Sequence, residues 1–193
     1  AGLACTQLPV QRVTAEAAAA GPLVTPMPVR AGRVSGVAGS TAESVAGFIA
    51  ASEAAPEELS TIANVMPCPP MPFVPPEHHG QLVILAMICH LGPIEDGVAA
   101  MAPFRALATP IADMVRPMSY PEMYPPEDPD VHITAAVRGL FMDRVDRSVA
   151  QTIVERLEAS DAAMRVVQLR VLGGAAARVP AEATAFGDRS FGW

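Results

Sequence analysis

Gln81-Leu82-Val83-Ile84-Leu85-Ala86-Met87-Ile88-Cys89-His90 is the stretch whose reading decides the fold class. Its apolar run from Leu82 to Cys89 is too short to span a bilayer. Bounded by Gly80 and by Gly92-Pro93, and rich in Val, Ile and Leu, it reads as a buried strand. Downstream, Ile94 to Leu107 has helical spacing, with Val98, Met101 and Leu107 expected to face inward. Pro110 to Met118 is strand-like, and Ser119 to Asp130 is a proline-rich loop carrying Tyr120 and Tyr124. Val131, Ile133, Ala135 and Val137 alternate, which predicts a strand over 131–142. Asp146 to Ala159 reads as a helix and Met164 to Leu172 as a strand.

Upstream, six prolines between Pro67 and Gly80 exclude a regular helix or an inner strand and predict an extended loop. Thr61 to Met66 reads as a strand. Ala42 to Ala54 reads as a helix with Val45, Phe48 and Ile49 on one face and Thr41 as its N-cap. Ala31 to Ser40 is rich in Gly and Ser and reads as loop, and Pro22 to Arg30 as an edge strand interrupted by Pro26 and Pro28. Thr14 to Ala20 is Ala-rich and compatible with helix. The resulting order is β-α-β-β-α-β-β-α-β. It predicts an α+β fold of ferredoxin-like character: a largely antiparallel sheet with helices on one face. Residues 1–40 form an ill-defined N-terminal segment holding the edge strand, and 41–193 form the α+β domain.

Composition narrows the function classes. The 193 residues are 51% hydrophobic, enough for a core. The net charge of −7, with arginine as the sole strongly basic residue type, provides no basic stripe for nucleic acid. No stretch reads as a membrane span or a signal peptide, although the chain begins at Ala1, as a processed or truncated start would. Cys5, Cys68 and Cys89 match no metal or redox spacing, so a reducing cytoplasm is the expected setting. His78-His79 beside Glu77 lies in a proline-rich loop and reads as solvent-facing, so no metal site is expected. His90 and His132 stand at strand ends and read as structural histidines.

The tail Leu172-Gly173-Gly174-Ala175-Ala176-Ala177-Arg178-Val179-Pro180, with Thr184, Phe186 and Arg189 beyond it, resembles a strand-Gly-Gly-turn of FAD-linked oxidases of the berberine-bridge-enzyme-like family. Three other stretches resemble the same family: Ala55-Pro56-Glu57-Glu58-Leu59-Ser60, the segment from Thr109-Pro110 through Asp113 and Val115-Arg116-Pro117-Met118 to Tyr120, and His132 to Gly139. Together they run from about Ala55 to Arg189. The resemblance implies the substrate-binding domain of such an enzyme, with Gly173 and Gly174 facing the flavin. It implies oxidation of a small organic substrate, with hydride passing to flavin and then to oxygen.

The family's flavin domain, marked by an Arg-Ser-Gly-Gly-His segment that cradles the pyrophosphate, has no counterpart in these residues. FAD is therefore the cofactor of the intact family, with none expected on this chain alone. A separate FAD-binding domain and a second copy of the chain are the expected partners. Plant members carry a glutamate base at the fourth position after the Gly-Gly pair, where this chain has Arg178, which cannot accept a proton. No catalytic base carries over.

The candidate substrate-binding residues are Tyr120 and Tyr124 in the loop and Arg116, Arg138 and Arg178, three cations expected on one flavin-facing sheet surface. The rival reading is a stand-alone α+β protein that binds small ligands or self-associates, without catalysis.

Overall fold

The computed structural model describes residues 30–37, 41–117 and 135–184. Within them the chain runs β1 (Arg30–Val37), α1 (Ala42–Glu53), β2 (Leu59–Pro67), β3 (Leu82–His90), α2 (Ile94–Arg105), β4 (Pro110–Met114), α3 (Arg147–Ala159), β5 (Val167–Leu169) and α4 (Gly174–Ala177). The described strands form one sheet in the order β4-β1-β3-β2-β5, and every neighbouring pair is antiparallel. Two β-α-β units, β1-α1-β2 and β3-α2-β4, are thereby interleaved: β3 sits between β1 and β2, and β1 sits between β3 and β4. The fold is α+β, as the order of elements implied.

Strand β3 is central because its sequence can bury both faces. Ile84, Ala86 and Ile88 point to the helices and join a core with Leu59, Ala63 and Val65 of β2. Val45 and Phe48 of α1, Met101 and Phe104 of α2, and Ala150, Val154 and Leu157 of α3 complete that core. Phe48 and Phe104 meet edge to face, ring centroids 5.2 Å apart, a favoured aromatic geometry. On the opposite face, Val83 packs under the proline-rich loop with Cys68 and Val74. That loop is not loose. Cys68 and Gly80 are tied by main-chain bonds, the Cys68 N–H donating to Gln81 O and the Gly80 N–H to Cys68 O.

The helix starts follow from capping chemistry. Thr41 and Ser44 form a reciprocal capping box at α1. Asp146 Oδ1 accepts the N–H groups of Ser148 and Val149 at α3. Among the described residues no helix is long and apolar enough to cross a membrane.

Four expectations need correction, and a fifth falls almost wholly outside the described residues. Residues 31–37, expected as loop, belong to β1, which is an interior strand paired on both sides, with a bulge between Ser35 and Val37. Pairing on both sides satisfies the backbone, and that outweighs the weak strand preference of Gly and Ser. The edge strand expected over Pro22 to Arg30 lies outside the described residues except for Arg30, which opens β1. Residues 135–142, expected as a strand, pair with nothing in the described sheet, and Val137 is 84% exposed. The strand expected over 164–172 shrinks to Val167–Leu169, because the chain peels away from β2 after Leu169. In α2 the inward positions are Gly97, Met101 and Phe104, while Val98 faces outward.

Candidate functional site

After Leu169, which pairs with Ala63, the chain leaves the sheet, so among the described residues the edge of β2 from Leu59 to Ile62 has no strand partner on that side. A cleft of about 580 Å³ opens there. One wall is the end of α1 and the turn Ala55-Pro56-Glu57, and the other is Arg170 to Ala176. An unpaired sheet edge presents backbone donors and acceptors at regular spacing, so the floor of the cleft can hydrogen-bond an extended or planar polar ligand. Thr61 Oγ1 donates to Ser52 Oγ at 2.9 Å, and Ser52 Oγ donates to Phe48 O, which ties β2 to the last turn of α1.

The far wall is set by the two glycines. Gly174 has φ +54°, a left-handed conformation that glycine adopts without strain. A Cβ there would come within 3.2 Å of Glu57 Cγ. Gly173 is extended, and nothing stands within 4 Å of where its Cβ would be. One short turn further on, Arg178 grips the same glutamate. Its Nη1 donates to Glu57 Oε2 at 3.1 Å and its Nη2 to Oε1 at 2.5 Å, a two-pronged pair. These hydrogen bonds hold the Glu57 carboxyl below the usual carboxylate range and push the Arg178 guanidinium up. Glu57 is thus the latch on which the tail closes, although nothing in its own local sequence singled it out. The available signal was indirect: Glu57 and Arg178 belong to two different stretches of the same family resemblance.

The other candidates disperse. Arg178 is committed to Glu57 beside β5. Arg116 follows β4 at the opposite edge of the sheet, where its Nη1 donates to Pro117 O at 3.3 Å. Arg138 sits in the exposed 135–142 segment. The three arginines are not brought together: Arg116 follows β4 and Arg178 follows β5, at opposite edges of the described sheet, and Arg138 belongs to no described strand. Tyr120, Tyr124 and His132 lie outside the described residues.

His78 and His79 are half-buried, and His79 Nε2 is 3.1 Å from Val74 O. No group of three or more His, Cys, Asp or Glu side chains among the described residues could hold a metal ion. Burial pushes the thiols of Cys68 and Cys89 up, so both favour the protonated form and are poor nucleophiles.

No protein-family model and no curated protein sequence matches this chain.

Proposed function

We propose that this chain is the substrate-side domain of an FAD-linked oxidoreductase of the berberine-bridge-enzyme-like kind, covering the flavin pocket where a small organic substrate is oxidised. One observation carries the reading. Ala55–Ser60 and the Gly-Gly tail, two stretches that resemble that family, form facing walls of one cleft, and Arg178 locks them together through Glu57. In this role the unpaired edge of β2 binds the polar part of the substrate, and Arg170 adds a cation at the wall. Gly173, with open space where a side chain would be, leaves room for a flat ring to approach.

The described residues fit such a ring but provide no glycine-rich phosphate cradle, so the flavin would come with another domain. Bound flavin supplies the hydride acceptor. The chain's own residues bind and orient the substrate and shield it from water. The catalytic base is left to residues yet to be assigned.

The test is reconstitution with an FAD-binding domain that carries an Arg-Ser-Gly-Gly-His segment. The chain alone should release FAD on gel filtration, and the two-domain complex should retain it. Retention of FAD by this chain alone would overturn the proposal, as would failure of the complex to form.

A second reading, self-association of a stand-alone protein, is favoured by the sheet face opposite the helices, which the proline-rich loop covers only in part among the described residues. There Ile62, Met66, Met87 and Cys89 are only half-buried. Sedimentation over a concentration range separates the two readings, since a chain that stays monomeric removes the second.

A further inference from the structure

Arg170, which lines the Gly-Gly cleft just after β5, is an exposed side chain whose direction is fixed by neutral groups. Its Nε donates to Gln168 Oε1 at 2.9 Å. Gln168 Nε2 donates to Asn64 Oδ1 at 2.9 Å, and Asn64 Nδ2 to Leu85 O at 3.5 Å. This ladder crosses β5, β2 and β3 and braces the guanidinium from behind. Among the described residues Arg105, Arg147 and Arg178 each pair with a carboxylate, whereas Arg170 pairs with none. Its Nη1 and Nη2 donors stay unspent, a planar fork that fits a carboxylate end-on.

Two further donors line the same cleft. Ser60 lies four residues before Asn64 on β2, so its side chain shares the ladder's face of the sheet, opposite the core residues Leu59, Ala63 and Val65. Glu58 O accepts the Leu91 N–H, so even-numbered positions of β2 turn their main-chain groups to β3 and odd-numbered ones turn outward. Thr61 therefore directs its N–H and C=O into the cleft, beyond the last pair with β5 at Ala63. The acids of the lining leave the fork free. Both Glu57 oxygens are taken by Arg178, and Glu53 ends α1 on the helix-covered side of β2.

We propose that the cleft holds its ligand by a carboxylate group, and that the ligand is a small organic acid. The carboxylate lies on the Arg170 fork and accepts hydrogen bonds from the Ser60 hydroxyl and the Thr61 N–H. The rest of the molecule lies against Ile62 and the open side of Gly173. Gln168 is a positioning residue that acts through Arg170. That this acid is also the compound oxidised rests on the flavin reading above; that it binds does not.

The full chain, labelled with ¹⁵N, is titrated in parallel with sodium benzoate, benzamide and benzamidine, three flat molecules of similar shape and different charge. Benzoate should shift the amide resonances of Ser60, Thr61 and Gly173 to saturation, at least tenfold more tightly than benzamide, and benzamidine should leave them unchanged. Arg170→Gln, at an exposed position, should bring benzoate down to the level of benzamide. Gln168→Glu gives the fork a carboxylate of its own and should weaken benzoate at least tenfold while leaving benzamide as it was. No saturable response to benzoate, equally tight benzamide, or benzoate affinity that survives either substitution would each overturn the proposal. Benzoate binding by a chain that forms no complex with an FAD-binding domain removes the flavin reading alone. A complex that retains FAD, built on a chain blind to benzoate, removes this inference alone.

Discussion

Strand β3 and residues 135–142 look alike on paper, since each is a short, mainly apolar stretch with few charges. In the folded chain they have opposite fates. β3 is paired on both sides and carries Ile84 and Ile88 at 1% and 0% exposure. Residues 135–142 have no partner in the described sheet, with Val137 and Leu140 at 84% and 74% exposure. The difference teaches that strand-like composition is permissive. A strand exists only where a neighbour takes up its backbone hydrogen bonds, and that neighbour is supplied by topology. In the proposed two-domain architecture, residues 135–142 are a candidate to pair once the flavin domain is present.

The sharpest way to break this contrast is truncation on each side of it. Ile88→Ala should cost about 2–5 kcal/mol, because the core closes only partly around the lost atoms. Urea denaturation reads this directly. A loss under about 1 kcal/mol would mean that β3 is not the keystone its burial implies.

Gly174→Val comes next. The left-handed backbone alone penalises a residue with a Cβ by about 1–2 kcal/mol. The added atoms also press on Glu57. Gly173→Ala, with open space around it, should be silent in the isolated chain. Gly174→Val is felt even in the isolated chain, because Gly174 packs on Glu57 and has a positive φ. Hydrogen exchange over 172–178 should accelerate in Gly174→Val and stay unchanged in Gly173→Ala. Equal behaviour of the two would show that the turn is not held by Gly174.

Acid provides a third, smaller effect. Glu57 is held low by Arg178, and Asp146 by Ser148 and Val149. Burial pushes Asp113 up, but hydrogen bonds from Arg105 and the Val115 N–H outweigh it, so Asp113 too is low. Each carboxyl therefore binds fewer protons folded than unfolded. Their stabilisation is present above the unfolded carboxylate pKa, about 4, and is lost as pH falls through the lower folded values. The Tm should fall between about pH 5 and pH 3, with a shallower slope in Glu57→Gln. An unchanged slope in that variant would mean that the Arg178 latch does not form in solution.

Leu140→Ala should show the smallest effect, within about 0.5 kcal/mol, as for other exposed positions. A loss comparable to that of Ile88→Ala would place residues 135–142 in a packed core and erase the contrast.

Much of the architecture was legible because it rests on local signals. β3, the proline-rich loop, and the helices starting after Thr41 and Asp146 all follow from apolar runs, proline density and capping residues. β1 was not legible, since Arg-Ala-Gly-Arg-Val-Ser-Gly-Val carries loop composition and becomes a strand through its two neighbours. In the cleft, the Gly-Gly turn could be singled out, but its partner Glu57 could not. The hydrogen bonds between Glu57 and Arg178 span 121 residues, and no local pattern encodes them. His90 could be read only as a structural histidine; that its Nδ1 lacks a hydrogen-bond partner among the described residues is a property of space and not of sequence.

By itself, then, the sequence determined the α+β class, the Thr41 cap and the most buried strand, because these depend on contacts within a few residues. Tertiary structure alone decided the strand order, the loop that became a strand, the strand-like stretch that stayed unpaired and the latch across the cleft. Each of these needs two distant segments to meet. The free energy that selects them comes from backbone pairing and from burial between those segments, and neither exists until the chain has folded.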